Sequence, residues 1–279
     1  MRIVFFGTPD YIIPVLEKLH KYHEIVAVVT QSPKPMGRGK TLTYSAVDAW
    51  AFKKHIIRNF DYVDLPEADM GVCASFGMII PKIILDHFKY GILNIHPSLL
   101  PMFRGSSPIQ ATLISGINPT GVSIIRMVKE LDAGPILTQF EEDVLKDDTN
   151  ETLRARLFEK SADVLLDMIP AYIEGKIKYK PQDETKVVTT KMIKREDGFV
   201  DLYKDNHELI WRKFRAYSPW PGIWTMINDK QSLPLKNKRL KILKCRFEDN
   251  KLILDEVQPE SKNPTTWNIF RKTYGLNDL

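Results

Sequence analysis

Residues 1–30 read MRIVFFGTPDYIIPVLEKLHKYHEIVAVVT, and their pattern decides the fold. Ile3–Phe6 is a short apolar run stopped by Gly7-Thr8-Pro9, as expected of a strand buried on both faces. Pro14 to Leu19 has helical spacing, and Glu24–Thr30 is a second apolar, β-branched run. Strand, helix and strand within one short stretch predict a βαβ unit and therefore a parallel sheet. Gly7-Thr8-Pro9 is not a dinucleotide or P-loop fingerprint, because Pro9 removes an amide that such a loop needs. It reads as a tight turn at a strand end.

The alternation continues downstream. Met70–Phe76 and Ile92–Ile95 are further buried strands, with a helix starting at Pro81 between them. Pro108–Ser115 reads as a short helix, and Gly121–Met127 and Ile136–Phe140 as two more strands. A helix runs from Thr149 to about Tyr172, with Thr149 or Asp148 as its N-cap. Residues 175–190 are lysine-rich and polar and carry Pro181, the composition of a linker. Beyond it, His207–Tyr217 is an amphipathic helix stopped by Pro219-Trp220-Pro221-Gly222. Ile223–Ile227, Arg239–Cys245 and Lys251–Val257 then predict a small β-barrel or meander.

With 279 residues, the chain holds one large domain or two modest ones at roughly 100–200 residues each. Its 43% hydrophobic and 27% charged content excludes a disordered tail, a collagen and a coiled coil. The net charge of +5 is unevenly spread: residues 1–183 carry 21 basic against 22 acidic groups, whereas 184–279 carry 19 against 13. A neutral first part joined to a basic last third suggests an appended nucleic-acid-binding element. Cys73 and Cys245 are too few and too distant for a disulfide framework or a metal site. No apolar run reaches the ~18 residues of a membrane span, and the N-terminal run is quickly broken, so a cytoplasmic protein is expected.

Chemistry concentrates in Gly91-Ile92-Leu93-Asn94-Ile95-His96-Pro97. Asn94 and His96 are two apart at the carboxyl end of a strand otherwise built of Ile and Leu, so they share a face. Burying them unpaired would cost on the order of 1–3 kcal/mol each. As a pair at a strand end they favour function over a satisfied core histidine. Asp132, in Leu131-Asp132-Ala133-Gly134-Pro135, reads locally as a turn-former. Together the three can do more. An amide can donate to a developing oxyanion, an imidazole can stabilise that charge or move a proton, and a carboxylate can orient the imidazole or act as general base. None is an obvious nucleophile, and no G-x-S-x-G elbow is present, so direct acyl transfer fits better than hydrolysis.

The segment Asn94 to Pro101, followed by Arg104-Gly105 and Pro108-Ile109-Gln110, resembles the signature of the 10-formyltetrahydrofolate-dependent formyltransferase family. Leu131-Asp132-Ala133-Gly134 resembles a second motif of that family. The resemblance implies catalytic roles for Asn94, His96 and Asp132, and a folate-bordering loop of Ser98, Leu99, Leu100 and Pro101. It implies 10-formyltetrahydrofolate as formyl donor and no metal. Further stretches are similar to the branch that acts on methionyl-tRNA: Phe6 to Asp10, the basic loop Pro35 to Lys40, Phe214 to Gly222, and Gln258 to Tyr274. That branch implies formylation of the initiator methionyl-tRNA, with Arg38 and Lys40 reaching the tRNA. By charge alone, Arg212, Lys213, Arg215, Lys236, Lys238, Arg239, Lys241, Lys244 and Arg246 form a candidate phosphate track in the last third. The alternative is a sugar-nucleotide N-formyltransferase with the same donor, to which Met127-Val128-Lys129 is similar.

The implied fold is α/β. A Rossmann-like catalytic domain spans 1–180, a linker 181–204 and a small OB-like β-barrel 205–279, in a monomer with no membrane partner. Between Lys54 and Asp69, and again between Lys244 and Leu252, the chain is shorter than the family pattern.

Overall fold

The computed structural model describes residues 1–37, 39–227 and 238–276. Two compact units emerge from its internal contacts. The first comprises Met1–Pro108, Pro119–Asp143 and Arg154–Thr190; the second comprises Ile109–Asn118, Val144–Leu153 and Lys191–Leu279.

The strands run in chain order β1 (Arg2–Gly7), β2 (Glu24–Val29), β3 (Lys34–Met36), β4 (Thr41–Thr43), β5 (Ile57–Asn59), β6 (Met70–Ala74), β7 (Ile92–His96), β8 (Arg104–Gly105), β9 (Thr120–Arg126), β10 (Ile136–Glu142) and β11 (Thr189–Thr190). The helices among them are α1 (Ile13–Tyr22), α2 (Ala46–Lys53), α3 (Lys82–Leu85), α4 (Pro108–Ser115) and α5 (Asn150–Ile173). Seven strands form one sheet in the order β10-β9-β7-β6-β1-β2-β5. The pairs β2–β5, β1–β2, β1–β6 and β6–β7 are parallel. The α/β, parallel-rich sheet expected from the first thirty residues is therefore present. At one end β7–β9 and β9–β10 pair antiparallel; β9 and β10 are joined by a short connection without a helix, whereas β8 and α4 lie between β7 and β9.

β1 lies inside the sheet between β6 and β2, and Ile3, Val4, Phe5 and Phe6 are fully buried. Phe6 makes edge-to-face contacts with Phe76 and Phe88 at centroid separations of 5.7 and 6.1 Å. Burying one such ring contributes on the order of 1.5–3 kcal/mol, so this aromatic cluster anchors the strand ends that carry the site. β3 and β4 form a separate two-stranded hairpin. β11 pairs in parallel with β8, Thr189 opposite Arg104 and Thr190 opposite Gly105.

The second unit contains α6 (His207–Ala216), β12 (Ile223–Ile227), β13 (Lys238–Glu248), β14 (Lys251–Pro259), β15 (Thr265–Thr266) and α7 (Trp267–Tyr274). Its four strands form an antiparallel sheet in chain order. β13 and β14 are joined by Asp249 and Asn250 at φ +47° and +60°, a two-residue turn suited to Asp and Asn. Asn206 caps α6 by accepting from the Glu208 and Leu209 amides, and Thr266 caps α7 by accepting from Ile269.

Candidate active site

The period-two geometry of β7 sets Asn94 and His96 side by side at its carboxyl end, 8% and 4% exposed. Asp132 reaches them from the connection between β9 and β10. Its backbone is left-handed at φ +51°, and the following Gly134 passes so close to Arg126 that a Cβ there would sit 1.8 Å from the Arg126 carbonyl oxygen. The tight turn returns the Asp132 carboxylate toward β7. Asn94 Nδ2 donates to Asp132 Oδ1 at 3.3 Å, and Asp132 Oδ2 lies 3.5 Å from His96 Nδ1. The three residues singled out from the sequence thus stand together.

Two backbone groups complete the cluster. The Gly105 amide donates to Asp132 Oδ2 at 2.8 Å. His96 Nε2 lies 3.0 Å from the Phe103 carbonyl oxygen. A carbonyl can only accept, so Nε2 carries a proton. Burial pushes the His96 pKa below its ordinary value; the Asp132 carboxylate and the Phe103 carbonyl oppose that shift without overcoming it. The ring is accordingly neutral at pH 7, with the Nδ1 lone pair free beside a carboxylate. Such an arrangement accepts a proton and then shelters the imidazolium that forms. The Asn94 amide, held at one N–H by Asp132, is a donor of the kind that stabilises an oxyanion.

Phe103 was not singled out from the sequence, and Gly105 entered only as part of the Arg104-Gly105 motif, with no role attached. A main-chain contact leaves no side-chain signature; the available clue was glycine itself. Gly105 has φ +115°, and a Cβ would meet the Thr190 carbonyl oxygen at 2.5 Å. Cys73 lies beside Asn94 across the β6–β7 pair, fully buried, and burial raises its thiol to about 12, so it is no thiolate nucleophile.

The loop after β7 is braced from within. Ser98 is buried and donates to the Met102 carbonyl at 2.6 Å. Ser123 donates to the Ser98 carbonyl at 2.7 Å and accepts from the Leu100 amide at 2.9 Å and from Gln139 Nε2 at 2.8 Å. Leu100 is buried, whereas Leu99 and Pro101 are half-buried, and the Leu100–Pro101 bond is cis. Lys40 is exposed at the β3–β4 tip, its amide bonded to the Gly37 carbonyl at 3.2 Å. Arg38 lies outside the described residues.

The basic track of the second unit is more neutralised than its composition implies. Arg212 pairs with Glu208, Lys244 with Glu256, and Arg246 with Asp255 and Glu248. Arg215 is buried and donates to the Asp148 carbonyl, while Lys238 and Lys241 are exposed and Lys236 lies outside the described residues. Among the described residues, no helix is long and apolar enough to cross a membrane, and no group of three His, Cys, Asp or Glu could hold a metal.

Comparison with known proteins adds independent observations. Residues 1–169 match the family model described as Formyl transferase, and residues 192–252 match Formyl transferase, C-terminal domain. A protein of Fusobacterium nucleatum named methionyl-tRNA formyltransferase is 35% identical over 94% of this chain and 93% of its own length. One of the same name from Bacillus licheniformis is 35% identical over 99% of this chain and 96% of its own. Among solved structures, methionyl-tRNA formyltransferase from Clostridium thermocellum superposes with a TM-score of 0.61 at 19% identity, covering 93% of this chain and 98% of that one. WlaRD, a sugar 3N-formyl transferase, superposes at 0.66 and 18% identity, covering 94% and 99%. Likeness at such identities speaks to the fold.

Proposed function

The chain belongs to the formyl transferase family, and from that premise we infer that it transfers the formyl group of 10-formyltetrahydrofolate to the amino group of methionyl-tRNA, the formylation that serves translation initiation. The observation that carries the acceptor is identity at 35% with methionyl-tRNA formyltransferases over nearly their whole length. The site carries the chemistry. A formyl group needs donors for its oxygen and an acceptor for the amine proton, and Asn94, His96 and Asp132 supply both.

The folate supplies the formyl carbon and a nitrogen leaving group. Asn94 donates to the formyl oxygen as negative charge develops there. The neutral amine attacks the carbon, forming the new C–N bond. His96 Nδ1, assisted by the Asp132 carboxylate, takes the proton that the nitrogen sheds. When the bond to the folate nitrogen breaks, the proton returns from His96 to that leaving nitrogen, restoring the neutral ring. Asp132 holds the imidazolium in between. No nucleophile on the protein is required.

Ser98 to Pro101 borders the folate in this scheme, with Leu99 and Pro101 as the surfaces open to it. Arg38 and Lys40 meet tRNA phosphates. Residues 1–180 are the catalytic domain, 181–204 the linker and 205–279 the domain that holds the tRNA, in a cytoplasmic monomer. Parallel formylation assays with methionyl-tRNA and with amino-sugar nucleotides, each with 10-formyltetrahydrofolate, test the acceptor. Product on the tRNA is expected; product on the sugar alone would overturn the assignment.

A further inference from the structure

Asp132 is a non-glycine residue at φ +51°, in the left-handed region that side chains with a Cβ rarely adopt. Something must hold it there. The carbonyl oxygens of Asp132 and Gly134 accept from one group, the Gln182 Nε2 amide, at 2.8 and 2.7 Å. At its other end, Gln182 Oε1 accepts from Arg104 Nε at 3.0 Å. The remaining guanidinium nitrogens fork onto Glu184, at 3.1 and 2.7 Å. A guanidinium can only donate, so the Gln182 oxygen must face Arg104 and its NH2 must face the turn. The amide cannot serve the turn in the reverse orientation. Arg104 is itself buried and precedes Gly105, whose N–H holds the Asp132 carboxylate. One two-residue strand therefore grips the carboxylate directly and the turn's backbone through Gln182.

We propose that Gln182 is a positioning residue for formyl transfer: its side-chain amide fixes the Asp132 turn so that the carboxylate stands between Asn94 and His96. The proposal rests on the formyl-transfer reading above and extends the site to a segment read from the sequence as a linker. Gln182 touches no reacting atom. It acts through Asp132.

Gln182→Glu tests it at constant volume. A carboxylate keeps the partner for Arg104 but sets an acceptor against two carbonyl oxygens at 2.7–2.8 Å. A displacement of about 1 Å at the site costs ~10²-fold in rate. The expected result is a kcat reduced ~10²-fold with KM for both substrates within about threefold, and unchanged binding of tetrahydrofolate. Asp183→Asn is the neighbouring control, because that carboxylate accepts from Thr185 in its own turn, and its kcat should stay within about twofold of wild type. Should Gln182→Glu fail to bind tetrahydrofolate, Gln182→Met, which removes the donors without adding charge, decides by the same kcat and KM criteria. A kcat within about threefold of wild type, or a loss confined to KM, overturns the proposal. Wild-type protein that formylates no methionyl-tRNA counts against the reaction itself, and this proposal falls with it.

Discussion

Asp132→Asn removes one charge and almost no volume. The amide oxygen can still accept from Gly105, as the carboxylate does at 2.8 Å, so the turn keeps its anchor. In that orientation the NH2 group faces the Asn94 amide, donor against donor; flipped, it would meet the Gly105 N–H instead and occupy the His96 Nδ1 lone pair that takes the proton. The larger loss is electrostatic. An imidazolium formed on His96 stands 3.5 Å from the Asp132 carboxylate, and both side chains are at most 10% exposed. At an effective dielectric of about 20, that attraction is about 5 kcal/mol. With ~1.4 kcal/mol per tenfold, the expected fall in kcat is about three orders of magnitude. Single-turnover formylation at saturating donor and tRNA isolates the step, and tetrahydrofolate titration checks that the pocket is intact. A loss of less than about tenfold, or one seen only in KM, would refute the pairing of Asp132 with a proton-accepting His96.

Two further perturbations follow from the same geometry. His96 is pushed below the ordinary imidazole value of 6.5 by burial, so the neutral, active ring persists at pH 6.5, and kcat should fall only as pH drops through the lower, folded-state value. Because the unfolded chain protonates first, folding stability should decline as pH falls below 6.5, and His96→Gln should remove that part of the decline in urea titrations. Gly105→Ala places a Cβ 2.5 Å from the Thr190 carbonyl oxygen at φ +115°, so the β8–β11 pair must part at a cost of ~1–3 kcal/mol. A Tm matching wild type would show that the pair is not strained by a side chain.

The legible parts of this molecule are those with a repeating pattern or an anomalous residue. Ile3–Phe6 and Glu24–Thr30 declared buried parallel strands because solvent-free faces leave only apolar choices. Asn94 and His96 stood out because an Ile and Leu strand has no packing use for them. Asp132 was harder, since Asp before Gly-Pro is ordinary turn chemistry, and only its company raised its standing. Gln182 was invisible: a glutamine in a polar, lysine-rich stretch matches a solvated linker, and its partners are two main-chain carbonyls fifty and forty-eight residues away. The Gly105 and Phe103 contacts are backbone atoms, to which residue identity gives little access. The basic composition of the last third overstated its free charge, because strand pairing sets Glu256 and Asp255 of β14 against Lys244 and Arg246 of β13.

The pairing of β8 with β11 orders events in time as well as in space. All seven strands of the main sheet have left a ribosome once residue 142 has emerged, and the interior strand β1 has both neighbours by residue 74. At that stage the sheet can close on its apolar contacts. Gln182 and Thr189–Thr190 arrive later, after the whole of α5. A nascent chain thus holds Asn94, His96 and Asp132 well before it holds the groups that lock their turn. The sheet comes first and the locked turn later, which keeps a chain that has not yet reached residue 190 from presenting a finished site.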